Sequence, residues 1–293
     1  MNNGIYVIYG CPTFLAQAGQ AATAGPYEGL GEGSYPTDLS QLTYFCTEFA
    51  NRNTTVWGGF FTTVQIFNEP EGGNFSGVAN STNFFWGTAV QFVDMSATVY
   101  AALNGTGLTR LSAGTYKMST FNTWLSTQGS VTGKFGYECF DAVAAHPYHA
   151  APNGTYSARG NFKTLPDGGV NGIRSTLTTY SKQNVDIYFT EYGLDGSEST
   201  GIVATFLAKT AAERKLLIIR LIMAAARSGV KNFCFWSYGG AQLVGDMVTD
   251  TTGVALGINE ANLAIAGKTI TSGGWYPDGR EWLQFSDGTE YIN

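Results

Sequence analysis

The chain has 293 residues, of which 44% are hydrophobic and 13% charged, a composition too apolar for a disordered segment and long enough to bury a large core. Its 16 Lys and Arg against 22 Asp and Glu give a net charge of −6, and with no basic cluster nucleic acid is not an expected partner. The 38 glycines follow no G-X-Y period, which excludes a collagen-like fibre and points to many loops on a scaffold.

The opening MNNGIYVIYG carries no positive n-region and no long apolar h-region, so no signal peptide is read in it. The longest apolar run, 216–226, covers 11 residues and contains Arg220, short of the ~18 that would predict a membrane span. Cys11, Cys46, Cys139 and Cys234 lie far apart without CxxC spacing. They read as buried thiols, with a disulfide or a metal site as open alternatives. Sequons at Asn53, Asn74, Asn80, Asn104 and Asn153 suit an extracellular or virion-exposed protein.

The first expected strand is Ile5–Tyr9, followed after a Gly/Pro-rich stretch by a helix over Pro36–Ala50, where Leu39, Leu42, Phe45 and Phe49 recur at near-helical spacing. Phe60–Phe67 is a strand ending in Asn68-Glu69-Pro70, and Asn83–Leu103 is a helix closed by Asn104-Gly105. Leu108–Ala113 and Phe140–Ala145 are strands on either side of a short helix, Ser119–Gln128. The second of them delivers His146-Pro147-Tyr148-His149 to a long glycine-rich loop. A helix over Ile173–Lys182 precedes the strand Val185–Thr190, which enters Glu191-Tyr192-Gly193. Thr210 and Glu213 form a capping box for a helix reaching Arg227, and a strand follows over Asn232–Trp236. A helix within Asn259–Ala266 and an aromatic, hairpin-like tail with two Asp-Gly pairs complete the order.

Strands followed by helical pattern predict parallel pairing with right-handed crossovers, hence an α/β fold. Polar residues at several strand ends favour a TIM-type (β/α) barrel over the alternative, an open parallel α/β sheet. No GxGxxG or GxxxxGK[ST] run supports a nucleotide fold, and no cofactor or metal is expected.

Glu69 and Glu191 each stand directly after a strand-like run. Two carboxyl groups about 5 Å apart can cleave a glycosidic bond with retention, one protonating the leaving oxygen while the other attacks the anomeric carbon. Asn68 offers a donor and an acceptor for a sugar hydroxyl. His146, Tyr148 and His149 provide a polar wall, Tyr192 flanks the second glutamate, and Trp236 can stack on a pyranose. A carbohydrate is therefore the expected substrate.

Asn68-Glu69-Pro70, His146-Pro147-Tyr148, Thr190-Glu191-Tyr192-Gly193 and Phe235-Trp236-Ser237 together resemble the clan A retaining glycoside hydrolases. These are (β/α)8 barrels with catalytic glutamates after the fourth and seventh strands. The resemblance implies Glu69 as acid/base, Glu191 as nucleophile, Asn68 on the 2-hydroxyl, Tyr148 or His146 after strand six and Trp236 in the innermost subsite. Tyr9-Gly10-Cys11-Pro12 with Tyr35-Pro36 is similar to the third-strand region of β-xylosidase-like members. On that alignment Ile5–Tyr9 is strand three, and the first two strands are missing from the chain. A preceding chain segment, a second chain or an oligomer partner would complete the barrel. The implied organisation is a barrel-like catalytic domain over 1–271 and a β-hairpin tail, or the start of an accessory β domain, over 272–293. The alternative function is an inactive carbohydrate-binding or structural module of a surface or viral assembly.

Overall fold

The computed structural model describes residues 4–70, 74–115, 117–147, 169–192, 225–226, 228–235, 270–275, 281–285 and 290–292. Two compact units make up the chain, one of residues 1–146 and 172–188, the other of 147–171 and 189–293.

In the first unit, strand β1 (Gly4–Ile8) pairs parallel with β2 (Phe61–Ile66), and β2 with β3 (Thr109–Leu111). Ile8 lies opposite Ile66, so the first two strands end level with one another. Helix α1 (Leu39–Thr55) begins where the Asp38 carboxylate accepts the Ser40 N–H at 2.8 Å, which satisfies one of the orphan donors of its first turn. It runs beyond the expected Ala50 because Asn53 fastens its last turn to the start of β2, accepting from Phe61 N at 3.0 Å and donating to Phe61 O at 2.8 Å. Asn53 is thereby buried, and its sequon is unavailable to a glycan, whereas Asn74, Asn80 and Asn104 are exposed.

Helix α2 (Ala89–Ala102) starts later than the expected Asn83. The indole of Trp86 donates to the carbonyls of Asn80 and Asn83 and its backbone N–H to Gly33, which holds 83–87 outside the helix. A capping box of Thr88 and Gln91 then opens α2. Cys46 and Phe49 of α1, Val99 and Leu103 of α2, and Ile8, Val64 and Ile66 of the sheet close into one apolar cluster. Burying each such large side chain contributes ~1.5–3 kcal/mol. The thiols of Cys11, Cys46 and Cys139 are free and buried. Helices α3 (Met118–Ser126) and α4 (Val170–Thr178) follow β3 and β4 (Val143–Ala145) in sequence.

Strand β5 (Ile187–Tyr192) pairs between β4 and β6 (Val230–Phe235). It runs two residues further than expected, so Glu191 and Tyr192 are its last residues and do not follow it. In the second unit, β7 (Ile270–Trp275), β8 (Glu281–Phe285) and β9 (Glu290–Ile292) form a separate antiparallel sheet. The helix expected over Thr210–Arg227 lies outside the described residues except for Ala225 and Ala226, and the one expected within 259–266 lies wholly outside them.

The barrel expectation is overturned. The described parallel strands form two separate three-stranded sheets, β1-β2-β3 and β4-β5-β6, in an open arrangement. A closed barrel requires every strand to have two neighbours at a consistent stagger, but β1 pairs with β2 alone among the described residues. Strands β3 and β4, of three residues each, meet only through isolated bridges, Leu111 with Ala142 and Thr115 with Ala145.

Candidate active site

Strand β2 ends at Ile66, and the next residues abandon the extended conformation. Phe67 and Glu69 adopt positive φ angles of 75° and 39°, a left-handed backbone that side chains with a Cβ rarely hold. Neighbouring bonds fix it: Glu69 N donates to Gly114 O at 3.0 Å and Gly114 N to Phe67 O at 3.2 Å, while Gln65 Nε2 donates to Phe67 O at 3.0 Å. Strain of ~1–3 kcal/mol per residue persists only where the surroundings over-determine it, and it clusters at functional sites.

His146 follows β4 and is fully buried. Its backbone N–H donates to Thr115 O at 2.7 Å, and its Nδ1 lies 2.8 Å from Glu69 Oε1. A Cβ on Gly114 would overlap the imidazole at Nε2 and approach Gln65 Nε2, so the absence of a side chain there is what admits the ring. Gln65 and Asn68 are buried, and among the described residues the side-chain oxygen of each has no hydrogen-bond partner. Glu69 keeps 16% of its side chain open to solvent.

In the first unit the acid of this site is therefore Glu69, with His146 against it; in the second, Glu191 stands at the end of β5. Burial and then the Glu191 carboxylate push the nearby Cys234 thiol up from its ordinary pKa. A carboxylate and an imidazole, as in Glu69 and His146, are also groups that a metal ion accepts. The contact between Nδ1 and Oε1, 2.8 Å, is nevertheless shorter than the ~3.3 Å between two ligands that each stand ~2 Å from a tetrahedral zinc. The two groups satisfy each other directly.

Of the residues singled out in the sequence, Glu69 and His146 are brought together, Asn68 adjoins Glu69, and Glu191 lies on β5. Tyr192 ends β5, while Tyr148, His149 and Trp236 lie outside the described residues. Gln65 and Gly114 were not singled out. The available signal for Gln65 was a lone amide between Val64 and Ile66 in an otherwise apolar strand end; for Gly114, one glycine among 38, there was none.

No family model and no curated protein matches the chain. Among solved structures it is similar to a GH39 β-xylosidase from Caulobacter crescentus, at 15% identity and TM-score 0.54, over 80% of this chain and 45% of that one. A GH39 enzyme from Xanthomonas axonopodis pv. citri matches at 14% identity and TM-score 0.54, over 79% and 43%. A conserved exported protein from Bacteroides fragilis matches at 16% identity and TM-score 0.50, over 80% and 48%. The chain spans less than half the length of each. The likeness is one of fold. No helix among the described residues is long and apolar enough to cross a membrane.

Proposed function

We propose that the chain acts on carbohydrate as a retaining glycoside hydrolase, with Glu69 as acid/base and Glu191 as nucleophile. The observation that carries this reading is the Glu69 carboxylate held 2.8 Å from the buried imidazole of His146 at one strand end, on a fold similar to that of glycosidases, with Glu191 at the end of β5. Retaining enzymes hold their carboxyl groups ~5–5.5 Å apart, whereas inverting ones leave ~6.5–9.5 Å for a water molecule. Double displacement proceeds in two halves. In the first half the Glu191 carboxylate attacks the anomeric carbon, and the Glu69 carboxylic acid gives its proton to the departing oxygen. In the second half the Glu69 carboxylate takes a proton from water, which attacks the glycosyl ester and releases Glu191. An Nδ1–H on His146, donated to Glu69, orients that carboxylate and stabilises the charge it carries between the two halves. Asn68, with its amide oxygen unpartnered among the described residues, is suited to accept a bond from a substrate hydroxyl. An extracellular or surface-exposed setting fits such a substrate and the exposed sequons.

The test is an activated 2-fluoroglycoside, chosen after screening aryl glycosides and neutral β-linked xylose and glucose hexasaccharides. The wild-type chain should acquire one covalent sugar on Glu191, read by peptide mass spectrometry. Glu191→Ala should abolish the adduct, while Glu69→Ala should still form it when the leaving group is good. An adduct on another residue overturns the assignment. A loss of hydrolysis on chelation that zinc restores would make Glu69 and His146 metal ligands instead.

A further inference from the structure

The loop after β1 carries a second arrangement that the proposed chemistry does not use. Tyr9, Tyr27 and Phe84 form a three-ring cluster, with centroids 5.3 Å apart for Tyr9 and Tyr27, 5.8 Å for Tyr9 and Phe84, and 5.7 Å for Tyr27 and Phe84. Tyr9 also contacts Phe67 at 5.2 Å, and Phe67 stands two residues before Glu69. Because Ile8 and Ile66 are register partners, Tyr9 and Phe67 leave their parallel strands side by side at the end where Glu69 sits. The cluster is thus continuous with the candidate active site.

Tyr27 does not behave as a core residue. It remains 60% exposed although two rings hold it, and its loop is built with care for that position. The carboxylate of Glu32, itself 7% exposed, accepts the N–H of Tyr27 at 3.2 Å and that of Gly29 at 3.1 Å. Gly25 N donates to Gly29 O at 3.0 Å and Gly31 N to Thr23 O at 2.9 Å, while Glu28 is held at a φ of 67°. Taking a carboxylate out of water is costly unless its bonds are made, and here they are made to the backbone that carries the exposed ring. Burial, then the neighbouring Glu32, hold the Tyr9 hydroxyl protonated well above the ordinary phenol range. The result is a fixed, exposed aromatic surface in a chain of net charge −6.

We propose that Tyr27, backed by Tyr9 and Phe84, is a stacking subsite for a neutral pyranose of an oligosaccharide whose neighbouring units reach Glu69. Pyranose rings present apolar C–H faces that match an immobilised aromatic, and a ring fixed in advance loses little entropy on binding. An anionic sugar is disfavoured by the buried Glu32 carboxylate. The ligand class rests on the glycosidase reading of the Glu69 site.

The experiment is calorimetric titration of the full chain carrying Glu191→Gln with neutral β-linked xylose and glucose hexasaccharides. Tyr27→Ala should weaken binding of the best hexasaccharide five- to tenfold, Tyr27→Phe should keep it within twofold, and Tyr44→Ala, at an exposed position on α1, should leave it unchanged. Melting temperatures confirm that each variant folds. Unaltered binding in Tyr27→Ala overturns the subsite, as does an equal loss in Tyr44→Ala, and no binding of any hexasaccharide overturns it too. If the wild type hydrolyses nothing while binding still depends on Tyr27, the hydrolase reading fails and the subsite stands.

Discussion

Glu69 owes its position to residues that have no chemistry of their own. The most exposed to test is Gly114, whose missing side chain leaves room for the His146 ring against Glu69. With Gly114→Ala the imidazole must shift, and small misplacements of a positioned group cost up to ~100-fold in rate. We expect kcat to fall at least tenfold with KM within threefold on the best aryl glycoside; a parallel loss of folding without that split would make Gly114 merely structural. At this scale the sequence was informative where a polar residue closes an apolar strand, as with Asn68, Glu69 and His146. It was silent on the left-handed backbone of Phe67 and Glu69, because a bulky residue at positive φ contradicts its own propensity and is imposed by bonds from Gly114 and Gln65.

Helix α2 shows what an element adds to its residues. Asp94 lies on it, almost wholly buried, and its carboxylate accepts the backbone N–H groups of Ser130, Val131 and Thr132 at 2.8–3.2 Å together with the hydroxyls of Ser130 and Thr132. One side chain thus binds the loop after α3 to a helix formed 36 residues earlier. Burial disfavours its charge, but the bonds from Thr132, Val131 and Ser130 outweigh this and hold the carboxyl below its ordinary 3.8. A carboxyl lowered by folding stabilises the fold above its unfolded value, and that contribution disappears as pH falls through the lowered folded value. Asp94→Asn should therefore reduce unfolding free energy by ~1–3 kcal/mol at pH 7 in urea titrations, with the gap to wild type narrowing below 3.8. A gap independent of pH would show that the charge is not what matters. Periodicity located α1 to α4 because it is local. Their ends were missed where tertiary bonds decide them, as Asn53 does for α1 and Trp86 for α2.

For the whole molecule, the order of parallel strands and helices was readable and their closure was not. Alternation in sequence sets which elements form, whereas a ring depends on pairing between its first and last strands, and β1 meets only β2 among the described residues. The strand-end places of Glu69 and Glu191, the pair proposed for catalysis, were nonetheless legible, since a strand end fixes a residue's location whether or not the sheet closes. One further property follows from the packing of the first unit. Burial raises the thiol of Cys11 to about 11 and those of Cys46 and Cys139 to about 12. Thiolate, the form that reacts, is accordingly scarce in the folded chain at pH 8 and becomes abundant when the core opens. Alkylation of these three positions should proceed no faster than that opening, and urea should accelerate it in step with loss of the fold. Rapid labelling of Cys46 in the native protein would contradict its enclosure. Three side chains with no part in the proposed chemistry thereby become a clock for the breathing of the core that supports it.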